Sequence, residues 1–222
     1  MEIIKGLDFR LKESSVSLGK FDGIHLGHRY LLGKVLQQKA FIPTVFTFEL
    51  NKAVSKIYTQ KEKDYILEKM GVQREVVFPF NDETKRMAPE EFIKEILVKR
   101  MDVRHICVGT DFRFGRNREG DIHTLERFQD TYHYSLDIVP KLTLDDETIS
   151  STLVRNLMEM GNLSRANELL GEPYFVMGEV LHGNALGRTM NMPTANLLPD
   201  GEKKLLPYGV YATTVKVGDR QY

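Results

Sequence analysis

Apolar residues follow two alternating patterns over positions 1–171 of this chain. Short runs rich in β-branched and aromatic residues predict buried strands; they occupy positions 16–19, 44–48, 75–78, 106–108 and 135–139. Between them, apolar residues recur at the three- and four-residue spacing of amphipathic helices; these segments lie near 28–39, 61–70, 89–97, 150–161 and 164–170. Strands that alternate with such helices predict an α/β fold, with a doubly wound, mostly parallel sheet covered on both faces.

The pattern changes after Gly171. Three further stretches predict strands, with glycine-rich joins and no helical spacing between them; they span 175–182, 194–198 and 210–217. We therefore predict two domains, an α/β domain over 1–171 and an all-β domain that begins near 172 and runs to 222.

Composition narrows the class of protein. The 222 residues carry 31 basic and 31 acidic side chains, so the formal net charge is zero. This balance argues against a protein whose main affinity is for a nucleic-acid backbone, which needs net basic surface. The one cysteine, Cys107, excludes an internal disulfide and lies in an apolar run that predicts a buried strand position. Neither a signal peptide nor an apolar stretch of membrane-spanning length is evident, which predicts a cytoplasmic protein without a membrane partner.

A first motif, Gly-Lys-Phe-Asp-Gly-Ile-His-Leu-Gly-His at 19–28, joins the first predicted strand to the first helix. The start of a helix offers unpaired backbone N–H groups and a partial positive charge, which suit phosphate. Glycines let the chain turn tightly and let a phosphate approach the backbone. His25 and His28 can donate hydrogen bonds to phosphate oxygens. A lone pair of histidines three residues apart is more often structural, but the strand, the glycines and the helix start around this pair favour the phosphate role. Zinc binding is disfavoured because no Cys, Asp or Glu cluster accompanies them.

A second motif, Val-Gly-Thr-Asp-Phe-Arg-Phe-Gly at 108–115, follows the fourth predicted strand. Asp111 falls at the carboxyl end of that strand, where parallel sheets bind their ligands. It is predicted to fix a nucleotide or a flavin through hydrogen bonds. Phe112 and Phe114 could stack on a ring, although packing in the core fits them equally well.

A third motif, Ile-Ser-Ser-Thr-Leu-Val-Arg at 149–155, enters a predicted helix. Ser150 or Ser151 is a plausible N-cap, and hydroxyl groups at a helix start also contact phosphates. Arg155 lies one turn further on, and its guanidinium group suits recognition of a triphosphate. Alone, the segment is typical of an ordinary capped helix.

The three motifs together, in this order, resemble the bacterial bifunctional riboflavin kinase/FMN adenylyltransferases. The resemblance implies a Rossmann-like nucleotidylyltransferase of the HIGH type over 1–171, followed by an antiparallel β-barrel. It implies that ATP and FMN are the substrates, that AMP joins FMN to give FAD and pyrophosphate, and that Mg²⁺ assists. Three residues are implied to act in catalysis: His25, His28 and Arg155. Those implied to bind the nucleotide are Gly19, Phe21, Asp22, Gly27, Ser150, Ser151 and Thr152, and those implied to bind the flavin are Asp111 and Phe112.

The β portion has a resemblance of its own. The segment 182–196, which ends in Pro-Thr-Ala-Asn, is similar to the family's riboflavin kinase signature. The resemblance implies that Gly183 and Gly187 lie near phosphates and that Thr194 and Asn196 hold Mg²⁺ and ATP. An oxygen-rich magnesium site that shares ATP as a ligand is chemically sensible. The simpler interpretation of 193–196 is a turn before a strand.

Three departures from the family pattern stand out. Phe-Glu-Leu-Asn at 48–51 replaces the usual His-Pro after the second strand, and Asn191-Met192 replaces a Gly-Phe. The sequence ends at Tyr222, whereas the family's kinase barrel continues and includes the glutamate that acts as its base. We therefore expect an incomplete barrel, little or no riboflavin phosphorylation, and open strand edges over 172–222 that are poorly ordered, paired with another copy or prone to aggregate.

For adenylyl transfer, the sequence favours direct attack of the FMN phosphate on the α-phosphorus of ATP. An anionic phosphate needs no strong base, so positioning and electrostatics can carry the reaction. His25, His28 and the first helix would hold the triphosphate, and Arg155 the leaving pyrophosphate. Three alternatives stay open: the chain is a fragment of an intact bifunctional enzyme, it binds flavin or nucleotide without turnover, or it transfers a nucleotidyl group to another small phosphate acceptor. Riboflavin is a further candidate ligand, and the oligomeric state is left open.

Overall fold

A six-stranded parallel sheet forms the centre of the molecule. The computed structural model describes residues 1–49, 55–183, 189, 191–192, 194–218 and 220–222. The strands run in the order β1-β4-β3-β2-β5-β6, and every neighbouring pair is parallel. Their bounds are β1 Glu2–Lys5, β2 Ser14–Leu18, β3 Ile42–Phe48, β4 Arg74–Phe78, β5 Val103–Gly109 and β6 Ser135–Val139.

Helices connect these strands and cover both faces of the sheet, as the sequence predicts. Their bounds are α1 Leu26–Gln37, α2 Gln60–Met70, α3 Asp82–Lys85, α4 Pro89–Glu91, α5 Ile122–Tyr132, α6 Ser151–Glu159 and α7 Leu163–Leu170. α4 continues directly into a π-helical segment, Phe92–Val98. The sequence predicts one helix from Pro89, and Pro89 does stand at its start. The wider π winding was not predicted, because the apolar pairs Phe92/Ile96 and Ile93/Leu97, each four residues apart, fit either winding.

Hydrophobic clusters on both faces hold the helices to the sheet. On one face, Phe46, Ile106 and other strand residues pack against the π-helical segment and α5. On the other face, Val45 packs with apolar residues of α1, α2, α6 and α7. Cys107 is fully buried in β5, so its predicted strand position is confirmed.

β1 was not predicted from the sequence. Only four residues long, it lies at the edge of the sheet beside β4, and three of its four residues are exposed. An exposed edge strand needs no continuous apolar run, which is the pattern on which strand prediction depends. A short hairpin, β7 Thr143–Leu144 with β8 Glu147–Thr148, was missed for the same reason.

The C-terminal residues form two separate antiparallel pairs. β9 (Gly178–Leu181) pairs with β10 (Asn196–Pro199), and β11 (Lys216–Val217) pairs with β12 (Arg220–Gln221). The prediction of a strand over 210–217 is wrong for 210–215, which has no regular structure. All described residues from 207 onward are exposed, so the apolar side chains there lack the buried face that strand patterning implies. The domain boundary at 171/172 stays a prediction; Gly171 ends α7 there in a left-handed conformation.

Candidate active site

The order of the strands places a ligand crevice between β2 and β5. From β2 the chain moves through β3 to β4 on one side of the sheet, whereas β5 and β6 lie on the other side. In open parallel sheets, such a switch point leaves a crevice at the carboxyl ends of the two strands. The first motif follows β2 and the second follows β5, so topology brings both to this crevice.

The loop between β2 and α1, residues 19–25, has an unusual backbone; it is called the histidine loop below. Phe21 and Ile24 adopt positive φ angles of 50° and 40°, and Gly23 adopts 86°. Positive φ is costly for residues other than glycine and is concentrated at functional sites. At Gly23 an added Cβ would lie 2.9 Å from Cδ1 of Ile57, so this position admits only glycine without rearrangement. The buried side chains of Phe21 and Ile24 anchor the loop in the core.

His25 and His28 meet at the entrance of α1. His25 is the N-cap, and its Nδ1 accepts a hydrogen bond from the backbone N–H of His28 at 3.4 Å. The two rings stack with centroids 3.7 Å apart. Burial lowers the pKa of His25 to about 4; burial, and then the neighbouring His25, lower the pKa of His28 well below its usual value. Both rings are therefore neutral at neutral pH. Nδ1 of His28 is buried and has no hydrogen-bond partner.

Asp22 joins the third motif to the first. The Arg155 guanidinium forms an ion pair with the Asp22 carboxylate, and its Nη1 donates to the carbonyl of Ser55 at 2.6 Å. The hydroxyl of Ser151 donates to the backbone carbonyl of Asp22 at 2.7 Å. The other oxygen of the Asp22 side chain accepts the N–H of Ile57 at 3.0 Å. Two segments about 130 residues apart in sequence are thus fixed to each other at the histidine loop.

The remaining residues of the third motif separate into two kinds. Ser150 is the N-cap of α6, and its hydroxyl accepts the N–H of Leu153 at 3.2 Å, which is the ordinary structural use of a serine at this position. Thr152 is exposed. The sequence places Ser150, Ser151 and Thr152 together as nucleotide-binding residues; of these three, Ser151 is the one that hydrogen-bonds to the histidine loop.

The second motif lies at the other side of the crevice. Asp111 follows β5, and its exposed carboxylate pairs with Nζ of Lys141 at 2.9 Å. Phe112 is half-buried and stacks on Phe114, with centroids 5.5 Å apart. Phe114 itself is buried in the core. Of the two aromatic residues, Phe112 is therefore the one with surface left to offer a ring ligand.

Sequence reasoning missed the basic wall beside the histidine loop. A small cavity there is lined by Lys20, Phe21, Asp22, Lys56, Tyr58, Gln60 and Lys63. Lys56 and Lys63 are already paired with Glu202 and Glu75, so Lys20 is the lining lysine for which the described residues supply no carboxylate partner, and its charge suits an anionic ligand. The hydroxyl of Tyr58 is buried and unpartnered. The position of this segment directly after β3, at the carboxyl edge of the sheet, could have indicated it.

The kinase-like residues come together in the C-terminal part. Gly183, Thr194 and Asn196 line a cavity of about 150 Å³ between β9 and β10, with Val180, Leu181, His182 and Ala195. An added Cβ at Gly183 would overlap the amide of Asn196, so the close approach of these two segments requires glycine. Gly187, Asn51 and Pro193 lie outside the described residues.

The oxygen donors of this cavity fit Mg²⁺, a hard cation that prefers oxygen and shares its ligands with phosphates. Thr194 and Asn196 offer a hydroxyl and an amide oxygen. Within the described ranges, no group of three or more His, Cys, Asp or Glu side chains is placed to hold a metal ion. Also within those ranges, no helix is both long enough and apolar enough to cross a membrane.

A second cluster of reactive side chains lies inside the sheet. Nδ1 of His105 is 2.8 Å from the hydroxyl of Ser15, and its Nε2 is 3.4 Å from the Asp137 carboxylate. The order Ser-His-Asp has the composition of a hydrolase triad. Ser15, however, is fully buried, and its hydroxyl also bonds the carbonyl of Val35 in α1. No substrate can reach it, and the cluster ties α1 to β2 and β5.

Two family models match the chain. The model described as FAD synthetase matches residues 8–153, and the model described as riboflavin kinase matches residues 170–222.

Curated relatives of this chain carry the name bifunctional riboflavin kinase/FMN adenylyltransferase. The one from Buchnera aphidicola (Acyrthosiphon pisum) is 34% identical, over 100% of this chain and 75% of its own length. The one from Bacillus subtilis is 32% identical, over 95% and 70%, and that from Haemophilus influenzae is 33% identical, over 98% and 75%. A solved structure titled as a macrolide-efflux protein from Streptococcus pneumoniae has a TM-score of 0.86 and 28% identity, over 100% of this chain and 77% of its own. That match confirms the predicted fold.

Proposed function

Because this chain belongs to the family of bacterial bifunctional riboflavin kinase/FMN adenylyltransferases, we propose how its own residues carry out the transfer. The reaction joins the AMP of ATP to FMN and gives FAD and pyrophosphate. An oxygen of the FMN phosphate forms a bond to the α-phosphorus of ATP. The bond from that phosphorus to the oxygen bridging to the β-phosphate breaks, and the electron pair leaves with pyrophosphate.

One observation carries the assignment of the site: two neutral, stacked imidazoles stand at the start of α1, and Nδ1 of His28 is buried without a partner. A buried polar atom without a partner costs free energy unless a ligand satisfies it. His25, His28, Gly27 and the first turn of α1 together offer donors where a triphosphate would meet the helix. The N–H of Gly19 bonds the carbonyl of Phe46, so the proposed part of Gly19 is to let a phosphate approach the backbone. Negative charge develops on the leaving oxygen, and fixed donors stabilise it without reorganising.

Arg155 has two roles in this proposal. In the resting protein it holds Asp22 and the carbonyl of Ser55, which fixes the shape of the loop. Its guanidinium also lies close enough to the loop to serve the leaving pyrophosphate. Phe21, Asp22, Ser150, Ser151 and Thr152 complete the nucleotide side, with Ser151 as the direct link.

Asp111 and Phe112 are proposed to bind the flavin. Both follow β5, across the switch point from the histidine loop. The half-buried ring of Phe112 offers an aromatic surface, and Asp111 can exchange its exposed partner Lys141 for a polar group of the flavin.

We propose that the cavity between β9 and β10 binds the ATP of the riboflavin kinase reaction. Gly183 allows close approach of a phosphate, and Thr194 and Asn196 would hold Mg²⁺ together with ATP; Gly187 belongs to the same proposed set. Magnesium, when bound, neutralises phosphate charge.

The test is an assay of FAD and pyrophosphate with purified chain, ATP, Mg²⁺ and FMN. Since one preorganised donor to the reacting phosphate contributes a factor of about 10²–10³ in kcat, His28→Ala should lower kcat by that amount and leave folding intact. His123→Ala is the matched control, because His123 is exposed on α5 and contacts Glu126 only at the surface. A folded His28→Ala variant with an unchanged rate would refute the assignment of the site.

A further inference from the structure

A segment near the C-terminus adds a short strand to the loop that supports the active site. The N–H of Lys56 donates to the carbonyl of Glu202 at 2.6 Å, and the N–H of Lys204 donates to the carbonyl of Lys56 at 2.7 Å. These bonds form a parallel bridge between Lys56 and Lys203. The side chains of Lys56 and Glu202 pair next to it. Residues 202–204 therefore fix the backbone of the loop at position 56.

Between those two backbone bonds, the side chain of Lys203 enters a closed aromatic cage. Its Nζ lies 4.3 Å from the ring centre of Tyr174, 4.6 Å from that of Tyr58 and 5.7 Å from that of Phe175. The side chain is 0% exposed. A cation over aromatic faces is held most strongly when water is excluded, as it is here.

Two oxygen acceptors complete the cage. Nζ of Lys203 donates to Oε2 of Glu62 at 2.7 Å and to the carbonyl of Phe175 at 2.8 Å. Glu62 is also fully buried. Its Oε2 accepts the N–H of Thr59 in the capping box of α2, and its Oε1 accepts the N–H of Met177 at 2.7 Å. Glu62 thus joins the start of α2 to the C-terminal segment.

The loop held by this cage is also the loop that holds the catalytic segment. The N–H of Ile57 bonds the carboxylate of Asp22, and the carbonyl of Ser55 accepts from Arg155. The Ile57 side chain packs where Gly23 turns. Tyr58 has one face in the cage and lines the basic cavity beside the histidine loop. The four consecutive residues 55–58 therefore connect the segment that contains Lys203 with Asp22 in the histidine loop.

We propose that Lys203 is a positioning residue for adenylyl transfer: from the C-terminal segment it fixes the loop 55–58, and through that loop it holds Asp22 and Arg155 at the histidine loop. The inference rests on the proposed function of that loop. A buried ion pair is no more stabilising than well-packed apolar side chains of the same volume. What a charged pair adds is a unique register, because any shift of the bridge would leave a buried charge without a partner.

The decisive variant is the double substitution Lys203→Met with Glu62→Gln. Lys203→Met alone leaves the Glu62 carboxylate buried without its cation and is expected to lower stability for that reason. The double variant removes both charges at nearly the same volume. Because the glutamine amide offers one acceptor oxygen where Glu62 uses two, the N–H of Thr59 or of Met177 also loses its acceptor, and Glu62→Gln alone is the control for that loss. Lys216→Met is the matched control, since Lys216 is an exposed lysine in the same C-terminal part. Rates are measured well below the unfolding midpoint of each variant.

For the double variant we expect kcat/KM for FAD formation to fall about tenfold per folded molecule, because small misplacements of catalytic groups are costly. Hydrogen exchange at the amides of Lys56, Ile57 and Lys204 should accelerate, while amides of β2 keep their protection. A purely structural role would lower the unfolding midpoint and leave kcat/KM of the folded fraction unchanged, which would overturn the proposal.

A second measurement needs no variant. Coupling between two sites is reciprocal, so a ligand that orders the histidine loop must also order what positions it. A non-hydrolysable ATP analogue should slow exchange at the Lys204 amide of the wild-type chain; no change there would also refute the proposal.

If His28→Ala lowers the rate and the Lys203 tests fail, the proposed function stands without this inference. If His28→Ala has no effect, the proposed function itself fails.

Discussion

At the scale of single residues, burial decides the protonation of the histidine loop. The side chain of His25 is almost inaccessible to water, and this lowers its pKa from 6.5 to about 4. A neutral imidazole that must meet a triphosphate donates one hydrogen bond and carries no charge. Positive charge beside the two neutral rings therefore comes from Lys20, since Lys56 and Lys63 are paired with Glu202 and Glu75.

This protonation predicts a loss of stability in acid. Between pH 6.5 and 4 the unfolded state binds a proton at His25 that the folded state does not bind, so the free energy of unfolding falls as pH falls. The contribution of this one residue approaches about 3 kcal/mol over the window. His25→Asn keeps an N-cap acceptor but cannot titrate, and it should flatten the curve. Denaturant unfolding at pH 7 and pH 4.5 measures the difference.

His28 and His105 have pKa values lowered in the same direction, but both remain in the variant. Because His25 also contributes to the lowered pKa of His28, the comparison with wild type measures His25 together with its effect on His28. Parallel curves for the two proteins would mean that His25 is accessible to protons in the folded state.

At the scale of elements, the turn from β2 into α1 depends on Gly23. Alanine there must adopt a φ of 86° and places its Cβ against Ile57, so Gly23→Ala should destabilise the chain by about 1–2 kcal/mol. Because Ile57 also bonds Asp22, we expect FAD formation to fall about tenfold. Thermal unfolding and the FAD assay measure the two effects.

Gly33→Ala provides the opposite case on the same helix. Gly33 lies within α1, and an added Cβ there would meet nothing within 4 Å. Alanine should therefore stabilise the helix by about 0.5–1 kcal/mol and leave the rate as it is. Equal effects of the two substitutions would show that the conformation at Gly23 is not the important feature.

Most elements of the α/β part follow from the sequence because their apolar residues are buried in regular patterns. Gly71 was predicted to end α2, and it does so with a φ of 96°. Elements with little burial, such as β1, were missed. The helix α5 was also missed, although Leu125 is buried and Ile122 and Phe128 pack on the same core cluster. The strand predicted at 210–215 failed because its apolar residues have no packed surface to cover.

The candidate site was predictable only in part. The three motifs indicated His25, Asp22 and Arg155, but not that the latter two pair with each other. Nothing local indicated that Lys203 is buried, since lysine is almost never fully buried without a partner. Its partner Glu62 lies 141 residues away, and only the folded chain brings the two together.

At the scale of the whole molecule, the C-terminal residues divide into a docked and an undocked part. Residues 202–206 contact the α/β part through the Lys203 cage and Leu206, which packs on its hydrophobic cluster. The described residues from 207 onward are all exposed. The part of the C-terminal segment that packs against the α/β part therefore ends at about Leu206.

Two truncated chains test this division. A chain that ends after Leu206 should keep the unfolding midpoint of the α/β part and most of its FAD formation. A chain that ends after Gly171 exposes Tyr58 and leaves Glu62 without its cation. Its unfolding midpoint and its rate of FAD formation should therefore both fall. Thermal unfolding and the FAD assay compare the two with the full chain. Equal behaviour of the two truncated chains would contradict the division.

The burial of Cys107 has a practical consequence. Burial raises the pKa of this thiol to about 12, and only the thiolate reacts with maleimides. Since the chain contains no other cysteine, Lys61→Cys and Leu205→Cys, both at exposed positions, would accept a pair of fluorophores while the native thiol stays unlabelled. Energy transfer between such dyes would follow the attachment of the C-terminal segment to α2 in single molecules during turnover.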